Sequence, residues 1–221
     1  MRGAVMARIA VADRVTNTRL NNILYNGNFE LKPSYVADTN TAGKWIDGTA
    51  AGSGAKLAYG WGTPATGSGV GANAAAAFDT SQFRSGTASM RLSNLNASGA
   101  VTIASYALNP IASTAFQLFR LIPNTSYTMR GYVRTNNVAT NSAFIDVREY
   151  SAAIATLATN SSNKLSGTDT SWRQVTATFT TNASTVFGAV FLRNNVAGNT
   201  SDAWFDDITL VPATTGRVAV S

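Results

Sequence analysis

Seven short runs of alternating apolar and polar residues follow one another along the chain beyond residue 85, separated by Asn, Gly, Pro and Ser. They are ASMRLSN (88–94), VTIASYAL (101–108), SYTMRGYVRT (126–135), AFIDVREY (143–150), WRQVTATFTT (172–181), VFGAVFLRN (186–194) and AWFDDITLV (203–211). A period of two puts successive side chains on opposite faces of a strand, so each run can bury one face only. No long helical periodicity competes with it. The pattern predicts an all-β fold, a two-sheet antiparallel jelly-roll β-sandwich. With 221 residues, 45% of them hydrophobic, the chain can fill one core of ordinary size.

The first third reads differently. Residues 1–22 form a basic N-terminal arm, in which Arg2, Arg8, Arg14 and Arg19 face Asp13 alone and supply +3 of the net +6. Such an arm can hold an acidic partner or remain a solvated leader. Arg8 interrupts its apolar run, so it reads as part of the mature chain rather than as a signal peptide. Residues 23–32 read as a first strand and turn. Residues 33–80, rich in Gly, Ala, Ser and Thr, read as a long irregular loop region, with Trp61 of YGW expected to pin it to the core. The sandwich is expected over 23–212, followed by a tail at 213–221. No window approaches the roughly 18 apolar residues of a membrane span, so a soluble protein is expected.

Residue types restrict the chemistry. The chain has no Cys, which excludes disulfides and thiolate metal sites. It has no His, which removes the usual general base and the commonest transition-metal ligand. Charged residues are 13% of the total, about half the ordinary share. The surface must therefore be covered largely by small neutral side chains.

Strand parity sorts the faces. Tyr127, Met129, Gly131 and Val133 share one side of their strand, and Arg130, Tyr132 and Arg134 the other. Phe144, Asp146, Arg148 and Tyr150 point away from the core positions Ile145 and Val147. Phe187, Phe191 and Arg193 point away from Val186, Val190 and Leu192. Aromatics interleaved with Arg are not an ordinary solvated face. Rings stack on pyranose faces, while Arg and Asp bond hydroxyls directionally. Two readings stand. Either Tyr132, Tyr150 and Phe191 are ligand platforms with Arg134, Arg148 and Arg193 as donors, or the face is covered by the 33–80 region or another subunit.

Taken in order, ILYNGNFE, YGW, SGTASMRLSN, LIPNTSYTMRGYVR, SWRQVTATFTT and AWFDDITLVP resemble the carbohydrate-binding modules of the family 4/9/16/22 type, which have a galactose-binding-domain-like jelly roll. The resemblance covers about residues 23–212, with 33–80 longer and more irregular than the family pattern. It implies glycan binding on the concave face or the loop edge. It also implies a structural Ca²⁺ where the first and last strands lie near each other. Its ligands would map onto Glu30 and Asp206, with backbone oxygens near Asn28 and around Arg84–Thr87. Hard oxygens from separate segments suit Ca²⁺. Asp206 shares parity with the inward Ile208 and Leu210, and a buried carboxylate needs a partner. The partner is a metal, or else Arg91 or backbone N–H groups.

Two functions follow. One is a non-catalytic module that binds a glycan or polysaccharide on the aromatic and arginine face. The other is a purely structural subunit whose jelly roll has lost sugar binding. Such modules usually accompany a catalytic domain, but here a basic arm accompanies one jelly roll. That arrangement suits an oligomeric component of a larger assembly: a phage virion decoration or tail protein, or a surface-layer or filament subunit. The arm would dock on a protein partner, placing the jelly roll outside cells or on a virion surface. A hydrolase would need two facing carboxylates. Asp146 and Asp207 are candidates, but Arg neighbours would lower their pKa values, so no enzyme is expected. Nucleic-acid binding is not expected either, because the chain beyond the arm carries 13 basic against 10 acidic residues.

Overall fold

The computed structural model describes residues 22–24, 26–31, 61–62, 74–94, 101–105, 118–194 and 200–213. Arg2, Arg8, Arg14 and Arg19 of the arm, most of the 33–80 region and the tail from 214 lie outside the described residues. The described residues form ten strands and no helix. The strands are β1 (Trp61–Gly62), β2 (Ala74–Asp79), β3 (Ser89–Asn94), β4 (Val101–Ser105), β5 (Phe119–Arg120), β6 (Ser126–Tyr150), β7 (Thr156–Ser161), β8 (Leu165–Thr180), β9 (Phe187–Asn194) and β10 (Ser201–Pro212). All pairings are antiparallel, in the order β1-β4-β9-β6-β10-β3-β2, with β5 on β9 and β7 and β8 on β6. The runs at 126–135 and 143–150 are thus one strand, and the expected two sheets are one continuous sheet curled into two layers.

β6 makes the curl. Its 25 residues, at about 3.3 Å each, would extend roughly 80 Å if straight, far beyond a domain of this size. Its first half, from Tyr127 to Asn136, pairs with β10, and its second, from Ala143 to Tyr150, pairs with β9. Between them the register against β8 shifts repeatedly. Asn137 and Asn141 there take left-handed backbone, with φ of 53° and 55°. Asn tolerates that region at little cost. Its neighbours satisfy the freed amides: Asn137 N–H donates to Thr168 Oγ1 at 2.9 Å and Asn141 N–H to Ser166 Oγ at 2.8 Å. Bulges of this kind let a strand pass from one layer to the next.

The two layers enclose one core. Met90, Leu92, Met129, Val133, Val175, Phe205 and Leu210 of the first layer meet Ile145, Val147, Val190 and Leu192 of the second. Each fully buried side chain of this size contributes about 1.5–3 kcal/mol. Gly131 sits where the layers approach: a Cβ there would lie 2.5 Å from Ile145 Cδ1 and from Ile208 Cδ1. Parity within each half therefore assigned the inward residues correctly.

The segment 23–32 corrects the reading. Its described part is a turn at 26–28 flanked by irregular backbone, not a strand. Asn26 and Phe29 have φ of 49° and 55°, which ends any extended run. Asn26 Oδ1 accepts Leu31 N–H at 3.0 Å, and Phe29 is fully buried against Trp61, ring centroids 5.1 Å apart. Trp61 Nε1–H donates to Asn26 O at 3.0 Å, so this Trp does anchor its surroundings to the core. Ile23 N–H donates to Leu210 O at 3.0 Å, which lays the first described segment beside the last strand. β7 and the start of β8 went unanticipated. They are polar and largely exposed, so no apolar alternation marks them. Trp172, expected as a buried type, is half-buried.

Replacing Asn141 tests the bend. Asn141→Val should lower the unfolding free energy in urea by about 1–2 kcal/mol through left-handed strain. Asn141→Gly should stay within about 0.5 kcal/mol of wild type.

Candidate functional site

The six expected ligand residues do not share a face. Tyr132 and Arg134 lie on the outer side of the first layer, opposite Asp206 and Trp204 of β10. Arg148, Tyr150, Phe191 and Arg193 come together on the outer side of the second layer, where Asp146 pairs with Phe191 and Phe144 with Arg193. Because one core lies between the layers, these are opposite sides of the fold. The single platform inferred from parity is thus two. Alternation orders side chains within a straight strand, but says nothing across the bend in β6.

The second-layer side is closed. Tyr150 is 3% exposed and Phe191 1%, so neither is an open platform. Arg148 and Arg193 guanidinium carbons lie 4.5 and 5.4 Å from the Phe191 ring centroid. Arg193 Nε–H donates to Asp146 Oδ2 at 2.6 Å, with both side chains nearly buried. Ser161 Oγ–H completes the Asp146 shell at 2.6 Å. Burial pulls the Arg193 pKa down, partly offset by the Asp146 charge. Burial pushes the Tyr150 hydroxyl up, against the opposing pull of Arg148. Arg148 Nε is buried without a hydrogen-bond partner.

The first-layer side is more open. Tyr132 and Arg134 are half-buried, and Arg130, Gln174 and Thr176 beside them are exposed. Arg84 lies over the Tyr132 ring, 3.5 Å from its centroid, and so takes one side of it. Gln174 Nε2–H donates to the Tyr132 hydroxyl at 3.2 Å. Behind this face Asp79 is held by Trp204 Nε1–H at 3.1 Å and Ser81 N–H at 2.7 Å. Burial raises the Asp79 pKa, but its hydrogen bonds outweigh burial and hold it below the usual value.

The β2–β3 connection folds down between Glu30 and Asp206. Arg84 and Ser85 N–H groups donate to Asp206 Oδ2 at 2.8 and 3.2 Å. Thr87 and Ala88 N–H groups donate to Glu30 Oε1 at 2.8 and 3.2 Å, and Thr87 Oγ1–H to Oε2 at 2.9 Å. Gly86, at φ of 67°, lets the loop press on this carboxylate, since a Cβ there would lie 2.1 Å from Oε1. Arg84 Nη1 also pairs with Asp207 Oδ2 at 2.5 Å. The reading of Asp206 as inward by parity fails, because β10 shifts register between Asp206 and Thr209. Asp206 belongs to the outer side with Trp204, yet it is fully buried. That burial pushes its pKa up to about 6, against the hydrogen bonds from Arg84 and Ser85.

A cation would find suitable donors here in kind. Glu30 and Asp206 are hard-oxygen carboxylates from distant segments that meet one loop, and Asn28 lies at the turn two residues before Glu30. Both Glu30 oxygens and both Asp206 oxygens already accept hydrogen bonds. Each carboxylate oxygen retains a second lone pair. Among the described residues no three acidic side chains cluster as a cage. The backbone N–H alternative is therefore realised.

Asp146 and Asp207 lie in opposite layers, each paired with an arginine, and do not face one another. Sequence reading missed the Arg84 contacts and a buried amide network. In that network Asn194 Nδ2–H donates to Leu92 O at 3.1 Å, and Ser142 Oγ–H to Asn194 Oδ1 at 3.0 Å. The RNN at the end of β9 was its only trace in the sequence.

No protein-family model matches the sequence, and no curated protein is similar to it. Among solved structures, the apo form of a cyclase from Fischerella sp. is similar over 87% of this chain and 95% of that one, at 18% identity and TM-score 0.54. The tailspike protein 4 enzymatically active domain of Bacteriophage CBA120 is similar over 87% of this chain but 22% of its own, at 10% identity and TM-score 0.53. A family 16 carbohydrate-binding module is similar over 63% and 85%, at 17% identity and TM-score 0.45. These likenesses concern the fold. The all-β jelly roll expected from the sequence is the fold observed.

Removing the Asp146 carboxylate tests how much the closed side matters. Asp146→Ala should cost about 3 kcal/mol or more in urea unfolding, because Arg193 stays buried without that charge. Asp146→Ala combined with Arg193→Leu should recover most of the loss.

Proposed function

We propose that this chain is a non-catalytic, carbohydrate-binding-module-like protein that takes a glycan on the outer side of its first layer. One observation carries the reading: of the expected ligand residues, Tyr132 and Arg134 lie beside the exposed Arg130, Gln174 and Thr176. An aromatic ring among directional donors suits a pyranose. The absence of catalysis rests on the carboxylates. All eight described ones, Glu30, Asp79, Asp146, Glu149, Asp169, Asp202, Asp206 and Asp207, are engaged by protein donors. Asp206 has the pKa of a general acid but lies fully buried beneath the loop. The resemblance of the sequence motifs to carbohydrate-binding modules favours the same reading. The likeness to a phage tailspike domain favours display on a virion or a cell-surface particle, with the basic arm docking on an assembly partner.

A second reading, a purely structural subunit, is favoured by the closed side. There Tyr150, Phe191 and Arg193 are buried, which suits a scaffold rather than a platform.

A polysaccharide and glycan array separates the two. Retention of one glycan class is expected, weakened about tenfold or more by Tyr132→Ala/Arg134→Ala and unchanged by Phe191→Leu. No retention of any glycan would overturn the first reading and leave the second.

We also propose that Glu30 and Asp206, with backbone oxygens near Asn28 and Arg84–Thr87, hold a structural Ca²⁺. The ion would supply positive charge to a buried carboxylate and cross-link the loop to the last strand. Adding Ca²⁺ to chelator-treated protein should raise the melting temperature, and Glu30→Gln should remove that rise. An unchanged melting temperature with no heat of binding would sink the site.

A further inference from the structure

A cavity of about 340 Å³ opens beside the grip on the β2–β3 loop. Its floor is apolar, from Leu24 and Ile208, and its polar wall carries Asn28, Ser85, Asp207 and Thr209. Three segments build it: the turn at 26–28, the bulge in β10 and the tip of the β2–β3 loop.

Most of the polar groups around it already have work. Asn22 Oδ1 accepts the N–H groups of Leu24 and Leu210 at 3.2 and 2.8 Å. Asn26 bonds the backbone of Leu31 through both ends of its amide. Ser85 Oγ–H donates to Asp207 Oδ1 at 2.8 Å. Asn28 and Thr209 differ. Neither the Asn28 amide nor the Thr209 hydroxyl has a hydrogen-bond partner among the described residues. Together they offer donors and acceptors across a small apolar floor.

Charge narrows the ligand. Among the described residues of the wall the one ionised group, Asp207, is neutralised by Arg84 at 2.5 Å. Among the described residues no free cation is left there to hold a phosphate, sulfate or carboxylate. A neutral molecule that both donates and accepts hydrogen bonds, with an apolar underside, fits an amide, a hydroxyl and a neutralised carboxylate. A sugar ring has that chemistry. The volume lies at the small end of ligand sites, about 300–1,000 Å³, which argues for one ring rather than a chain.

We propose that this cavity is a ligand site for a single neutral sugar ring, separate from the outer-face glycan site. Asn28 and Thr209 bond the ring hydroxyls, and Leu24 and Ile208 meet its apolar side. Tyr132 lies outside its lining, and Arg84 stands between the two sites, pairing with Asp207 on one side and covering the Tyr132 ring on the other.

Titrating isotope-labelled protein with D-glucose, D-galactose, D-mannose and D-xylose tests it, read by amide chemical shifts. At least one sugar should produce saturable shifts confined to residues 22–28, Ser85 and 207–209. Asn28→Ala/Thr209→Val should weaken that binding about tenfold or more, while Tyr132→Ala leaves it unchanged. Thr209→Leu, which narrows the cavity without removing Asn28, should weaken it too. Unaltered melting temperatures confirm that the variants fold. The proposal is overturned if no sugar shifts these amides, or if binding survives in both cavity variants. Polysaccharide binding lost only in Tyr132→Ala/Arg134→Ala would uphold the outer-face site and defeat this one. Monosaccharide shifts at the cavity with a blank polysaccharide array would do the reverse.

Discussion

β6 is the constraint on which the rest of the fold depends. A hydrogen-bonded strand of 25 residues cannot remain straight inside a domain of this size. It crosses from one layer to the other where Asn137 and Asn141 take left-handed backbone. Every strand of the first layer's continuous path reaches the second through it, since β10 pairs with its first half and β9 with its second. The same crossing places Tyr132 and Tyr150 on opposite sides of the molecule. Fold and placement of the site thus share one cause.

The second organising force is the economy of charge. A chain with 13% charged residues has few carboxylates to place. Those described act as local braces: Asp206 and Glu30 hold amides of one loop, Asp207 holds Arg84, and Asp146 holds Arg193. Glu149, 1% exposed, collects Asn160 Nδ2–H, Asn182 N–H and Thr185 Oγ1–H. Carboxylates fixed by several donors cannot readily exchange protons with a substrate.

The inward halves of the strands were legible in the sequence. Met129, Val133, Ile145, Val147, Val190, Leu192 and Leu210 all reach the core that alternation assigned them. Trp61 was legible as an anchor, because a large apolar ring in a Gly-rich stretch has few other roles. Less was legible where alternation fails. The turn at 26–28 was legible in its Asn-Gly pair, but the strand expected beside it was not formed, since left-handed Asn26 and Phe29 break the extended run. Glu30 and Asp206 were paired through family likeness rather than through spacing. The donors that satisfy them lie in Arg84–Ala88, a loop whose amides carry no sequence signature.

The sequence by itself determined the class of fold, the inward face of the regularly alternating strand stretches and the chemistries excluded by the absence of Cys and His. These depend on local periodicity and residue type, which any stretch of chain carries within itself. Tertiary structure alone decided which outer faces coincide, that Phe191 is closed while Arg130 and Gln174 are open, and that Asp206 turns outward yet stays buried. Each of those outcomes depends on a bulge or on a loop returning from more than a hundred residues away. Alternation keeps count only along an unbroken strand. One inserted residue exchanges the faces, and only the partner strand shows where the count resumes.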